Sequence, residues 1–559
     1  MKRYLCDVLV IGGGGAGLMA AYEAAKNPVS VAIVNKGYVQ HTGATIMAPG
    51  AVAVVGDEWQ SAGDSKDTHV KDTIVGGAFM NNQEIVHKAM YEAEDVIKEL
   101  ESLGIYFERT DDGSYALRTD GGHSYKRSLY LEDHIGREMV RTLMGAIAKH
   151  DVPIYENIMI TRVLRRDGKV CGAAGIDIQT QETILFECGA VIVSTGGVGF
   201  AYENSDLPLD LTGDGLVLAL DAGLKLVDME FVQFYPLGYL WPPSLKGLFG
   251  AYINHIHLLN SEGRRFMADY NAERMELTTR DVLSSAMMRE VREGRGSPKG
   301  GVYADFRHTD PAVMESDMPG MCETYRRIGF DYRTQSLEIA PTAHFTMGGI
   351  ETDSTWSTAV PGFFAAGEVC GGLHGANRVS QNALTDMLVS GKTAGASAAK
   401  HAAKQKTSYG VSPNELDVEQ ARIEAIYANE AGIPVNEYRD TLKKILWEKV
   451  GVLRDSAGLS EAVDELKKLA ATPQRLECRD RGYNRELINA LENQNMIRAA
   501  LTIALAASAR KETRGAHIRT DYPDADNANF LKNIYIGLRD GEYAVEFRDV
   551  ELKYCDVED

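Results

Sequence analysis

The sequence predicts an α/β chain. A Rossmann-like nucleotide-binding domain is interrupted by an inserted α+β domain and followed by a helical one. Three observations carry this reading. A glycine-rich turn joins a β-rich run to an amphipathic stretch at the N-terminus. Two more buried strand-and-turn segments return far downstream, at Gly189–Tyr202 and Val360–Cys370. Beyond about residue 405 the apolar residues recur at spacings of three and four, the period of helices with one buried stripe.

The N-terminal unit comes first. "DVLVIGGGGAGLMAAYEAAK" reads as strand, turn and helix, and "VSVAIVNKG" as the next strand. Gly12, Gly14 and Gly17 fit G-x-G-x-x-G. Gly12 allows the tight turn, Gly14 lets backbone approach a pyrophosphate, and Gly17 lets the helix pack on the strand. The helix N-terminus then offers free N–H groups and its dipole to the phosphates. At the end of the second strand stands Asn35, which bonds a ribose hydroxyl without bringing a charge.

The returning segments belong to the same domain. Gly189–Tyr202 is a strand ending in Thr195-Gly196-Gly197, and "LTGDGLVLALDAGLKL" is a loop entering a helix. Between that helix and Val360 lies a polar, mixed segment of about a hundred residues, the pattern of an insertion. It opens on "DMEFVQFYPLGYL", an apolar run with Tyr235-Pro236 in its middle. "KQKTSYGVSPNELD" reads as a polar linker, the stretches after it as a helical bundle, and "EYAVEFRDVELKYC" as part of a terminal strand pair.

Composition bounds the function. The chain has 559 residues, enough for several domains, with 44% hydrophobic and 25% charged residues. A net charge of −20 and no Lys/Arg block argue against a nucleic-acid partner. No run of 18 apolar residues spans a membrane. The basic start and apolar run of "MKRYLCDVLVIGGGG" mimic a signal peptide, but glycines break the run, so a cytoplasmic location is expected. The seven cysteines form no C-x-x-C pair, so bound metal is not expected and any iron–sulfur centre belongs to another chain.

Here the motifs accumulate. "VIGGGGAG", "STGG", "TGDGLVLALDAG", "DMEFVQF", "TTRD", "PTAHFTMGGIETD", "FAAGEV", "HGANRVSQNAL" and "ARKETRGAHIRTDYP" follow one another in order. In these the chain resembles the flavoprotein subunits of fumarate reductase and succinate dehydrogenase, with aspartate oxidase as a cousin. The resemblance implies FAD rather than NAD. It places Gly12, Gly14, Gly15, Gly17, Asn35, Lys36, Thr42, Gly43, Gly50, Thr195, Gly196, Asp214, Glu368, Ala383 and Leu384 at the cofactor. It implies an FAD-binding domain of residues 1–235 and 344–405, a capping domain of 236–343, and a C-terminal helical domain of 406–559. In relatives that last domain helps dock an iron–sulfur subunit, so such a partner is expected here, and with it a location peripheral to the membrane.

Relatives often attach FAD to a histidine seven residues after the lysine matched by Lys36. Counting seven on gives Gly43, and the same ungapped register matches Gly50 to a family glycine. A rival register with a two-residue deletion would make His41, in His41-Thr42, the attachment residue. The ungapped register leaves His41 outside that position, and non-covalent FAD is expected.

Flavin N5 exchanges a hydride with a carbon near a carboxylate, and the opposite face needs a proton donor. By resemblance Arg378 and His344 clamp the substrate carboxylate and Arg280 moves the proton. The bidentate fork of arginine suits the first task. The chain departs from the family where relatives grip a second carboxylate and feed protons to the arginine. A family histidine and threonine are matched by Tyr235 and Leu237, and a Thr-Glu pair by Leu248-Phe249. An Arg and a Glu fall on Tyr252 and Asn254. A carboxylate left unpaired there would be costly. The expected substrate is a carboxylic acid with a C=C or CH–CH bond whose far end, against Tyr235, Leu237, Phe249 and Trp241, is not a simple carboxylate. Tyr252, His255 and His257 are the relay candidates. Two other readings stand beside this one: fumarate or succinate itself, held by Tyr235 and backbone N–H groups, and an electron-transfer subunit without this chemistry.

Overall fold

The computed structural model describes residues 2–119, 121–132, 134–250, 252–405, 410–411 and 413–557. Residues 406–409 and 412, part of the expected linker, lie outside the described residues.

A five-stranded parallel sheet forms the centre, in the order Phe363–Ala365, Ala190–Val193, Val8–Ile11, Val31–Val34, Ile154–Tyr155. Its middle strands are buried on both faces, which is why they read as unbroken apolar runs rather than alternating ones. The N-terminal unit and both returning segments are thus neighbours in space despite their distance in sequence. The helix after the glycine turn, Gly15–Ala25, and the long helix Asn382–Ala402 cover the sheet. "TGDGLVLALD" enters its helix at Asp214, as its pattern predicts.

The insertion is built on an antiparallel sheet in the order Val232–Trp241, Leu337–Thr346, Val302–Asp305, His257–Leu259. It has an apolar core of its own, with Leu237, Tyr239, Tyr252, Phe306, Tyr325 and Ile339 among its members. Of its two long strands, Val232–Trp241 leaves the nucleotide-binding part and Leu337–Thr346 returns to it, and they pair Gln233 with Phe345 and Tyr235 with Thr342. Tyr235 and His344 therefore stand at the neck where the two parts meet.

The C-terminal part carries helices Pro413–Ala428, Val435–Lys449, Ser456–Ala471 and Arg485–Ala509. It then departs from an all-helical domain. The hairpin Lys532–Arg539 with Glu542–Asp549 pairs on to Leu226–Val227, which in turn pairs with Gly349–Ile350. The charged motif before it is buried as a network. Arg510 bonds Glu230 at 2.6 Å and Glu512 at 2.9 Å, and Arg514 bonds Glu512 at 2.7 Å. A buried guanidinium survives only when its donors are matched in this way. Among the described residues, no helix is long and apolar enough to cross a membrane.

Candidate active site

A cavity of about 1030 Å³ opens between the central sheet and the insertion. Gly12, Asn35 and Ser194, the residues that immediately follow three of the parallel strands, line it. This is the crevice at the carboxyl ends of the strands where open α/β sheets bind ligands.

The three fingerprint glycines have different surroundings. Gly12 has φ +113°, and a Cβ there would lie 2.4 Å from the Ser194 carbonyl oxygen. A Cβ on Gly17 would lie 1.9 Å from the carbonyl oxygen of Gly12, so only glycine lets the helix sit this close to the strand. A Cβ on Gly14 would meet no protein atom nearer than 3.9 Å, so the backbone there is bare toward the cavity. Gly14, at the N-cap, has no side chain to cap the helix, and in the first turn the Gly15 N–H donates to Thr45 Oγ1 at 3.2 Å. A bare backbone at a helix N-terminus fits a pyrophosphate.

Asn35 and Lys36 act through the protein. The Gly13 N–H donates to Asn35 Oδ1 at 2.8 Å, so the asparagine holds the loop. Lys36 Nζ sits among Asp214 Oδ2 at 2.8 Å, Thr212 Oγ1 at 2.7 Å, the Asp210 carbonyl at 3.0 Å and Glu492 Oε1 at 3.1 Å. Although burial disfavours its charge, Asp214 and Glu492 raise its pKa above the ordinary lysine value. The structure brings Gly12, Gly14, Gly15, Asn35, Lys36, Thr42, Gly43, Gly50, Thr195, Gly196, Asp214, Glu368, Ala383 and Leu384 to the lining of one cavity. Gly17 packs behind it. His41 is exposed and absent from the lining.

Arg280, His344, Arg378 and Tyr235 line the same cavity. Arg378 is 7% exposed, with its Cζ 4.7 Å from the Phe345 ring centroid. Gln233 Nε2 donates to its carbonyl at 3.0 Å and fixes its backbone. Burial, with the nearby Arg280 charge, lowers the Arg378 pKa to about 9. Arg280 opens the helix Arg280–Arg292 and lays its guanidinium over the Tyr235 ring. Arg280 Nη1 and Arg378 Nε are buried with no hydrogen-bond partner. Two guanidinium groups with orphaned donors beside one cavity make a site for an anion. Glu368 Oε1 accepts the Thr346 N–H at 3.0 Å, and burial pushes its carboxyl up to about 7.

The lining beside Arg280 and His344 is aromatic. The Tyr235 and Phe249 ring centroids are 5.1 Å apart, and each lies within 5.4 Å of the His344 ring. The Tyr235 hydroxyl donates to the Gly250 carbonyl at 3.1 Å, and burial raises its pKa. Leu237 and Trp241, expected in this wall, do not line the cavity, and neither does Leu248. Leu237 points into the insertion's own core, Leu248 is 45% exposed, and Trp241 packs on Phe330. The three relay candidates also stand elsewhere. Tyr252 packs against Phe306, His255 pairs with Asp317 at 3.4 Å, and His257 stacks on His308 at 3.5 Å.

Sequence reasoning missed Asp206. Its Oδ2 lies 2.9 Å from His344 Nδ1, and the carboxylate is 4% exposed. Nothing in "ENSDLPLD" marks it, because only the fold brings that loop beside the strand of His344. Asp317, Met318 and Met321 also line the cavity unannounced. Among the described residues, no cluster of His, Cys, Asp or Glu is arranged to hold a metal ion.

Comparison with known proteins agrees with this geometry. A family model described as "FAD binding domain" matches residues 7–384, and one described as "Fumarate reductase flavoprotein C-term" matches residues 439–558. The chain is 38% identical over 531 residues to a Methanothermobacter marburgensis protein named as one of the subunits of "Fumarate reductase (CoM/CoB)", covering 94% of this chain and 95% of the other. It is 35% identical over 561 residues to the "Fumarate reductase flavoprotein subunit" of Mycobacterium tuberculosis, covering 95% and 94%. The structure of Mycobacterium smegmatis Sdh1 in complex with UQ1 superposes with a TM-score of 0.92 at 34% identity, covering 99% and 95%. The cofactor is FAD, and the chain belongs to the fumarate reductase/succinate dehydrogenase flavoprotein family, whose members are FAD-dependent oxidoreductases acting on CH–CH groups.

Proposed function

We propose that the enzyme reduces the C=C bond, or oxidises the CH–CH bond, of a carboxylic acid whose far end is neutral, apolar or aromatic. The observation that carries this is the chemistry of the cavity lining. Two guanidinium groups with orphaned donors suit one carboxylate, while Tyr235 and Phe249, packed beside Arg280 and His344, present aromatic faces and no second cation. Arg378 and His344 bind the carboxylate and orient the adjacent carbon. Arg280 delivers the proton to the second carbon of the double bond. FAD, when bound, supplies the hydride through N5. A proton from an arginine requires a strongly basic carbon centre to receive it, as its ordinary pKa is above 12. The division into residues 1–235 with 344–405, 236–343 and 406–559 goes with this reading, the middle segment closing over the flavin.

The FAD is held without a covalent bond. The exposed position of His41 and its absence from the cavity lining support this. Acid denaturation should therefore release all yellow colour from the polypeptide. Electrons reach the flavin from an iron–sulfur partner chain. Relatives named as flavoprotein subunits support this reading, as does the lack of close-spaced cysteines here.

The discriminating experiment is a steady-state assay with reduced dye and a panel of trans-cinnamate, crotonate, acrylate and fumarate. The proposal predicts higher kcat/KM for a mono-carboxylate. A clear preference for fumarate sinks it in favour of the second reading, fumarate or succinate itself, which the name of the methanogen relative favours.

A further inference from the structure

We infer that Asp206 is a positioning residue for this reaction: its carboxylate fixes the His344 ring with Nδ1 protonated and favours the cationic form that a bound substrate carboxylate completes. The inference rests on the carboxylate reading above. His344 Nδ1 lies 2.9 Å from Asp206 Oδ2, so that nitrogen carries a proton and donates it. For Nε2 to donate to a substrate anion as well, the ring must hold both protons. The surroundings resist this. Burial, with the charges of Arg378 and Arg280, leaves the His344 pKa below its ordinary value even with Asp206 beside it, so the second proton is taken up only when a substrate anion faces Nε2. Tyr235, the other titratable group against the ring, is a neutral phenol. Glu368, near Asp206 and Arg378, has its carboxyl pushed up to about 7. Asp206 is the group in contact with His344 that favours the imidazolium.

The contact is built by backbone. The Ala343 N–H donates to the Asn204 carbonyl at 2.9 Å, and the Asp206 N–H donates to the Ala343 carbonyl at 3.3 Å. Ser205 and Ala343 form a parallel bridge. The loop thus lies as a short extra strand beside the residue preceding His344. A substitution that keeps the shape of Asp206 removes charge and leaves this pairing in place.

The test is the titration of His344 in the FAD-loaded enzyme, read by NMR with 13Cε1-labelled histidine and assigned with H344Q. In D206N the His344 signal should titrate at lower pH than in the parent, and D206E should recover part of the difference. Binding of trans-cinnamate, followed by flavin absorbance at pH 8, should weaken about tenfold in D206N. Saturated kcat should change little. An unchanged His344 titration in a D206N protein with the parent's Tm overturns the inference. The carboxylate reading fails separately: no acid of the panel would then bind the parent enzyme, whatever His344 does.

Discussion

Arg280 holds its guanidinium carbon 4.8 Å from the centroid of the Tyr235 ring. The cation thus rests on an aromatic face at the neck of the molecule, with Nη1 buried and without a hydrogen-bond partner. A partly buried cation–π contact of this kind is worth roughly 1–2 kcal/mol. It keeps the arginine extended toward the cavity without spending its donors on a carboxylate.

Replacing Arg280 by alanine should lower kcat by about a hundred- to ten-thousand-fold, the range of a positioned proton donor. Flavin content should stay at the parent level. If Arg280→Ala turned over normally, the chain would be an electron-transfer subunit without substrate chemistry.

Tyr235→Phe keeps the ring under Arg280 and removes one hydroxyl. It should leave the Gly250 carbonyl without its donor, at a cost of about 1 kcal/mol in stability, with kcat within a few-fold of the parent. Tyr235→Ala removes the ring itself and should reduce turnover far more. Thermal denaturation alongside steady-state rates distinguishes the two effects.

Two fingerprint glycines should behave differently. Gly14→Ala meets open space, so the protein should fold with near-parent circular dichroism yet retain little FAD. Gly12→Ala forces a side chain on to φ +113° and against the Ser194 carbonyl, and should cost about 1–3 kcal/mol from the backbone alone. Flavin content and far-UV spectra, measured together, check the contrast.

Glu368 makes the flavin-free protein sensitive to pH. Its folded carboxyl, at about 7, lies above its ordinary 4.5. The folded state therefore binds the proton more tightly than the unfolded state, and this stabilisation declines as pH rises from about 4.5 to about 7. The difference between parent and Glu368→Gln stabilities should change by roughly 3 kcal/mol across that window. Urea unfolding of both proteins at pH 5 and pH 7.5 measures it, and parallel pH profiles would show that Glu368 is ionised throughout.

The nucleotide end of this site was legible because its constraints are local. Gly12, Gly14 and Gly17 answer to turn, ligand and helix packing within a few residues of one another. Arg280, His344 and Arg378 were legible only through resemblance, since each alone reads as an ordinary surface or core residue. The aromatic wall was half legible. A strand alternates its faces, but irregularities between Gln233 and Phe234 and between Tyr235 and Gly238 break the register that would say which side chains face inward. Leu237 was misplaced for that reason. Asp206 was invisible because its meaning lies in a contact with a residue 138 positions away.

The terminal hairpin has a consequence for how the molecule is made. Lys532–Arg539 supplies the neighbour of Leu226–Val227, and Asp228 Oδ1 accepts the Ile534 N–H at 2.9 Å. A ribosome that has delivered the nucleotide-binding half has therefore left one strand edge bare and one acid unmatched. Until the final strands emerge, that newborn edge is an adhesive surface of the kind that recruits chaperones or other nascent chains. Completion of the cofactor-binding half thus waits for residues 532–549, and a truncation before Lys532 should yield aggregate rather than a shortened flavoprotein.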